Sequence, residues 1–263
     1  MLSVPLCLCA SLPPPYRPGV PEAPEPEPDD FQQGRVVREL RPTQRDPGRV
    51  TVRVGWPAAG GRRASKGKVV ATLPVERAQE LGLAPDLPWT QELAEAVTRT
   101  AGHDKAFRSA CNRIGSRAMS RGMLEDRLRR AGHADAAVAS AADRMEAMGL
   151  LDDAEFARAL LRETLRGRPA GERLLRQKLT QKRVPREVAD AVLAEHRADR
   201  RERADAGEDV DAAAVAYAVK KAAVPSMQRL DPQARRRRIQ GQLARRGFGF
   251  EVIDRALREA LPG

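Results

Sequence analysis

The chain is poor in aromatic residues: five Phe, two Tyr and two Trp among 263 residues. Base stacking needs aromatic platforms, so a nucleic-acid contact here is expected to go to the phosphate backbone, without sequence preference and with strong salt dependence. Histidine is equally scarce. His103, His133 and His196 stand apart from one another and from any carboxylate cluster that would complete a metal site. The three cysteines, Cys7, Cys9 and Cys111, are odd in number and scattered, which suggests neither a zinc site nor a disulfide framework. A reduced, cytoplasmic setting is the expectation. No apolar run approaches the ~20 residues of a membrane span. Met1 to Ala10 is mildly apolar but lacks the basic stretch and long apolar core of a signal peptide. Gly60-Gly61 and the segment Gly167-Arg168-Pro169-Ala170-Gly171 match neither a P-loop nor a dinucleotide fingerprint. Asp152-Asp153 comes just after Gly149 and reads as a helix start rather than a metal pair. No catalytic, cofactor-binding or metal-binding residue is expected, and the chain is read as a non-enzyme.

What the chain has in plenty is positive charge. Its net charge is +11 and its pI about 10.4. The distribution is uneven. Residues 1–33 carry one Arg and five acids, net −4, so the remainder carries +15. Such a balance fits an anionic partner or an acidic protein surface. The plainer reading is a basic protein from a source rich in Arg and Ala.

Residues 1–33 are Pro-rich and acidic and are expected to be disordered. Residues 34–85 read as a small β unit with a short helix. Val50, Val52 and Val54 alternate with Thr51 and Arg53; 35–40 and 68–73 supply two further strands. Three strands with one apolar face barely stand alone, so the unit is expected to pack on the helical segment C-terminal to it. Residues 86–103 read as a connecting helix capped by Thr90.

From there a three-helix unit recurs, over 104–150, 151–197 and 211–263, with a charged linker at 198–210. Each middle helix shows an apolar residue, a second one four later, a basic pair and a turn. The copies are Leu124, Leu128, Arg129-Arg130; Leu175, Leu179, Lys182-Arg183; and Ile239, Leu243, Arg245-Arg246. His133, Val184 and Phe248 share one turn position, and Val138, Val188 and Val252 lead the next helix. Phe107, Phe156 and Val215 mark the preceding one. Ser120 and Asp231, the latter with Pro232, read as caps. A unit of ~50 residues has a thin core, and stacking in a row covers its apolar faces. The fold class is therefore mainly α: tandem three-helix repeats forming an elongated curved array, preceded by a small β unit and a disordered tail.

The central copy is the most informative. Gly149 ends one helix, Asp152 caps the next with Glu155 three residues on, and Phe156, Leu160 and Thr164 with Leu161 beside them supply an apolar face. Gly149, Leu151, Asp152, Asp153, Phe156, Gly167, Arg173, Leu179, Lys182 and Val184, in this spacing, resemble the central repeat of the RecX family, the negative regulators of the RecA recombinase. The chain departs from the family pattern at Leu150 for an aromatic, at Arg168-Pro169 within the glycine break, and at Arg183 for a turn glycine. The resemblance covers about 104–263. Residues 49–52 and 78–83 are also similar to the small N-terminal β unit of some RecX-like proteins.

The resemblance implies a regulator of recombination, DNA repair and the SOS response. It would lie along the groove of the RecA–single-stranded DNA filament, bridge subunits, and lower ATP hydrolysis, strand exchange and the co-protease role. It implies no cofactor, no membrane and a monomer. The rival reading is a stand-alone DNA- or RNA-binding protein that grips single- or double-stranded backbone without sequence preference. Both would use the same cations: Arg129, Arg130, Arg173, Arg176, Lys182, Arg183, Arg235, Arg236, Arg237, Arg238, Arg245 and Arg246. Basic pairs at helix C-termini also compensate the macrodipole. That account does not extend to Arg235 to Arg238, since they sit near a helix N-terminus, and they are the stronger candidates for binding.

Overall fold

The computed structural model describes residues 34–57 and 66–261. The tail at 1–33, with Cys7 and Cys9, and the Gly60-Gly61 turn lie outside the described residues. Among the described residues the elements are three strands and then eleven helices. β1 (Val36–Pro42), β2 (Arg49–Gly55) and β3 (Lys68–Pro74) lead into α1 (Val75–Glu80), α2 (Gln91–Ser116), α3 (Arg121–Arg130) and α4 (Asp135–Ala147). Then come α5 (Asp153–Gly167), α6 (Glu172–Gln181), α7 (Arg186–Asp205), α8 (Ala212–Ala222), α9 (Pro225–Gln228), α10 (Pro232–Arg245) and α11 (Phe250–Ala260). The chain divides into two compact units. Of the described residues, one holds those from 34 to 117 and 124–150; the other holds 118–123 and 151–261.

In the first unit the strands form an antiparallel sheet in the order β1-β2-β3. The alternation in β2 buries Val50, Val52 and Val54. They join Val37, Ala71 and Leu73 in a core closed by Ala78, Leu83, Trp89, Ala94 and Val97 from α1, the loop after it and α2. The sheet thus packs on the helices C-terminal to it, α1 and α2. Arg49 adds a buried pin: its guanidinium donates to Asp104 of α2 at 2.5 Å and to the Thr72 carbonyl at 3.1 Å. Breaking one side of such a pair leaves an uncompensated buried charge, which is costlier than the pair is worth intact.

α2 is one continuous helix where the sequence pattern suggests a connecting helix, 86–103, separate from the helix carrying Phe107. No proline falls between Thr90 and Ser116, and a single interior Gly102 costs only about 1 kcal/mol. The Thr90 hydroxyl accepts from the Leu93 amide, as expected of the cap. Further along α2, Phe107 is buried with the Arg144 guanidinium 3.8 Å from its ring centre. Cys111 is buried, and that burial pushes its thiol pKa up, so it stays protonated.

In the second unit the central copy has Leu175 and Leu179 fully buried on α6. On α5 the inward residues are Ala157 and Leu161; Phe156 and Leu160 lie at the margin of the core. The helix is rotated by about one residue from the face that the aromatic suggests. Small Ala157 lets the helices approach, and the bulky ring goes to the edge. The last copy is built likewise around Ala218, Ile239, Leu243, Ile253 and Leu257. The charged stretch read as a linker, 198–210, continues α7 as helix through Asp205. Its Ala, Arg and Glu are good helix formers, and their charge does not oppose the helix.

Candidate partner-binding surface

The three middle helices end identically. In each, the residue four after the second buried apolar side chain is left-handed: Gly132 at φ 83, Arg183 at φ 55 and Gly247 at φ 80. The next residue donates its amide back to that apolar residue's carbonyl: His133 to Leu128, Val184 to Leu179 and Phe248 to Leu243. This is a Schellman turn, which satisfies carbonyls that the helix end would otherwise orphan. Two of the three positions carry glycine, and Arg183 adopts a conformation that costs an L-residue roughly 1–2 kcal/mol.

Within the second unit these turns receive the start of a middle helix. The Ser120 hydroxyl, fully buried, accepts from the Met123 amide at 3.2 Å and donates to the Lys182 carbonyl at 2.5 Å. At the corresponding place Gly171 donates its amide to the Arg246 carbonyl at 2.8 Å, and the Arg173 amide donates to the Gly247 carbonyl at 3.3 Å. Ser120 is therefore a cap and a joint at once. The two aspartates split their work: Asp152 accepts from the Glu155 amide on its own helix, and Asp153 accepts from the Arg121 amide at the start of α3. Reading along the chain finds the first of these and misses the second, whose partner is 32 residues away.

The candidate cations divide by what their heads already touch. Arg129 meets Asp135 at 2.9 Å and Glu125 at 3.2 Å. Arg176 pairs with Asp190, whose carboxyl it holds below the usual range, and with Glu172. Arg235 donates to the carbonyls of Met227, Gln228 and Leu230, stapling α10 to the end of α9 and the turn after it. Arg236 pairs with Asp254 at 3.3 Å. Arg246 donates to the Pro169 carbonyl and lies 4.7 Å from the Tyr217 ring centre. Arg183 is exposed on the left-handed turn, and the side chain of Lys182 is half-buried beside it. Arg130, Arg173, Arg237, Arg238 and Arg245 are exposed, and their side chains have no partner among the described residues.

Arg238 and Arg245 are seven apart on α10, so they share one stripe, two turns from each other. The three basic pairs do not superpose. They come after the second buried apolar residue by one and two, three and four, and two and three positions. Among the described residues no helix is long and apolar enough to cross a membrane.

Residues 152–193 match the family model of the RecX second three-helix domain, and residues 209–257 that of the third. The regulatory protein RecX of Prosthecochloris aestuarii is 32% identical over 157 residues, covering 60% of this chain and 94% of the relative. The chain belongs to the RecX family. The regulatory protein RecX of Mycolicibacterium vanbaalenii is 31% identical over 185 residues, covering 65% and 92% of the two chains. In fold, the chain is similar to a crystal structure of a regulatory protein RecX at TM-score 0.61 and 15% identity, covering 84% of this chain and 97% of that one. It is also similar to the crystal structure of RecX from Lactobacillus salivarius, at TM-score 0.51 and 18% identity. The mainly helical RecX fold with a small N-terminal sheet is the architecture of this chain. RecX proteins are named as regulators, not as enzymes.

Proposed function

We propose that this RecX-family protein binds the RecA filament on single-stranded DNA and inhibits it, lowering ATP hydrolysis, strand exchange and co-protease action. It acts in the cytoplasm as a monomer. The observation that carries the reading is the family membership across nearly the full length of the curated relatives. The surface adds a physical means. Arg237, Arg238 and Arg245 project from one helix with no local partner among the described residues. The segment from Asp211 to Gly263 holds 11 basic and 5 acidic residues, net +6. A field of that sign speeds association with an anionic assembly.

The test is the ATPase rate of RecA on single-stranded DNA at rising protein concentration. Inhibition well below one copy per RecA subunit supports a filament regulator. Inhibition only when the DNA is covered points instead to a competitor for the strand.

A further inference from the structure

The second unit contains a groove of about 760 Å³, of whose lining side chains the filament reading draws on Arg173 alone. It lies among residues 170–173 at the start of α6, the later half of α7, and the turn leading into α11. Four guanidiniums line it: Arg173, Arg197, Arg200 and Arg201. Its one lining carboxylate, Glu172, takes Arg197 at 2.8 Å, and Arg200 reaches Asp211 at 2.7 Å. Arg173 and Arg201 have no partner among the described residues. His196, on the same wall, adds no charge at neutral pH, because burial and then Arg200 lower its pKa. The groove is thus cationic with unspent donors.

At its edge stands Phe250, the first residue of α11, 77% exposed and the most exposed large apolar side chain among the described residues. The core of α11 is made by Ile253, Ala256 and Leu257, so packing does not call for this ring. We propose that the groove binds single-stranded nucleic acid, with phosphates at Arg173 and Arg201 and one unpaired base stacked on Phe250. A duplex is disfavoured because its bases already stack on both faces and offer none to a protruding ring. An acidic peptide could satisfy the guanidiniums but brings no flat partner for the ring. One well-placed aromatic is enough for one base, however few the chain carries in all.

The test uses the full chain without RecA, so its outcome is separate from that of the filament assay. Binding of a short fluorescein-labelled oligothymidylate is measured by anisotropy at low salt, with circular dichroism confirming folding. Phe250→Ala should weaken binding roughly 5- to 150-fold, the usual worth of one stacked base, while Phe250→Tyr stays near wild type. Arg201→Ala should weaken binding and lower the salt slope by about 0.7, the share of one phosphate contact on a single strand. An abasic strand of the same length should bind wild type and Phe250→Ala alike. Three results would each overturn the proposal: unchanged affinity of Phe250→Ala for oligothymidylate, an equal loss on the abasic strand, or polyglutamate binding as tightly as the oligonucleotide.

Discussion

Gly171 and Gly247 meet backbone to backbone. A methyl group on Gly171 would overlap the carbonyl oxygen of Gly247, and one on Gly247 would overlap the amide nitrogen of Leu174. Gly122 approaches Arg183 in the same way, its absent Cβ falling 2.7 Å from the Arg183 carbonyl oxygen. The joint between a helix start and the next copy's turn is therefore closed by main chain, which cannot move aside as a flexible side chain can.

Gly171→Ala should accordingly destabilise by about 3 kcal/mol or more, beyond the usual range for overpacking because the obstruction is backbone. Gly102→Ala is the matched control. It lies in the interior of α2 with nothing within 4 Å of the added methyl, and should stabilise by roughly 0.5–1 kcal/mol. Urea unfolding of the two variants reads the contrast. A small effect at Gly171 would show that the joint is loose enough to take a methyl group.

Arg183→Gly should raise stability by about 0.5–1 kcal/mol. Relief of left-handed strain outweighs the extra chain entropy that glycine loses on folding. The same change at a right-handed exposed helix position, such as Arg166→Gly, should lower stability. A drop in the urea midpoint for Arg183→Gly would mean that its side chain holds the turn by contacts worth more than the strain.

Leu179→Ala should cost ~2–5 kcal/mol, as for other fully buried leucines. Phe156→Ala should cost clearly less than the ~3–5 kcal/mol of a buried phenylalanine, since its ring lies at the margin of the core. If the two losses were reversed in order, the aromatic face of α5 would be the inner one after all.

Replacing Arg237 and Arg238 together by Glu should leave the circular dichroism spectrum unchanged, because exposed charges without partners contribute little to stability. It should weaken filament binding at low salt, and the difference should narrow as salt screens the field. Arg236 is left alone in this variant because it already pairs with Asp254. Equal affinity of variant and wild type at low salt would move the interface to Arg130 and Arg173.

Local signals in the sequence determined a good deal. The glycine turn at Gly149, the caps Thr90, Asp152 and Asp231, the alternation in β2 and the four-residue apolar spacing of the middle helices all depend on neighbours within a few positions. Each stands in the structure where the pattern puts it. The equivalence of His133, Val184 and Phe248 was legible for the same reason: one turn, one hydrogen bond, three times over. Tertiary structure decided what depends on distant partners. Nothing near Asp153 in sequence announces the Arg121 amide, and nothing near Ser120 announces the Lys182 carbonyl. Charge was the least legible property. A row of arginines reads as four equal cations, yet folding turns Arg235 onto backbone carbonyls and Arg236 onto Asp254, and leaves Arg237 and Arg238 exposed. Likewise 198–201 reads as the start of a linker. Folding makes it a helix, sets its arginines with Arg197 on one face by the period of 3.6, and brings Phe250, some 50 residues on, to the same groove.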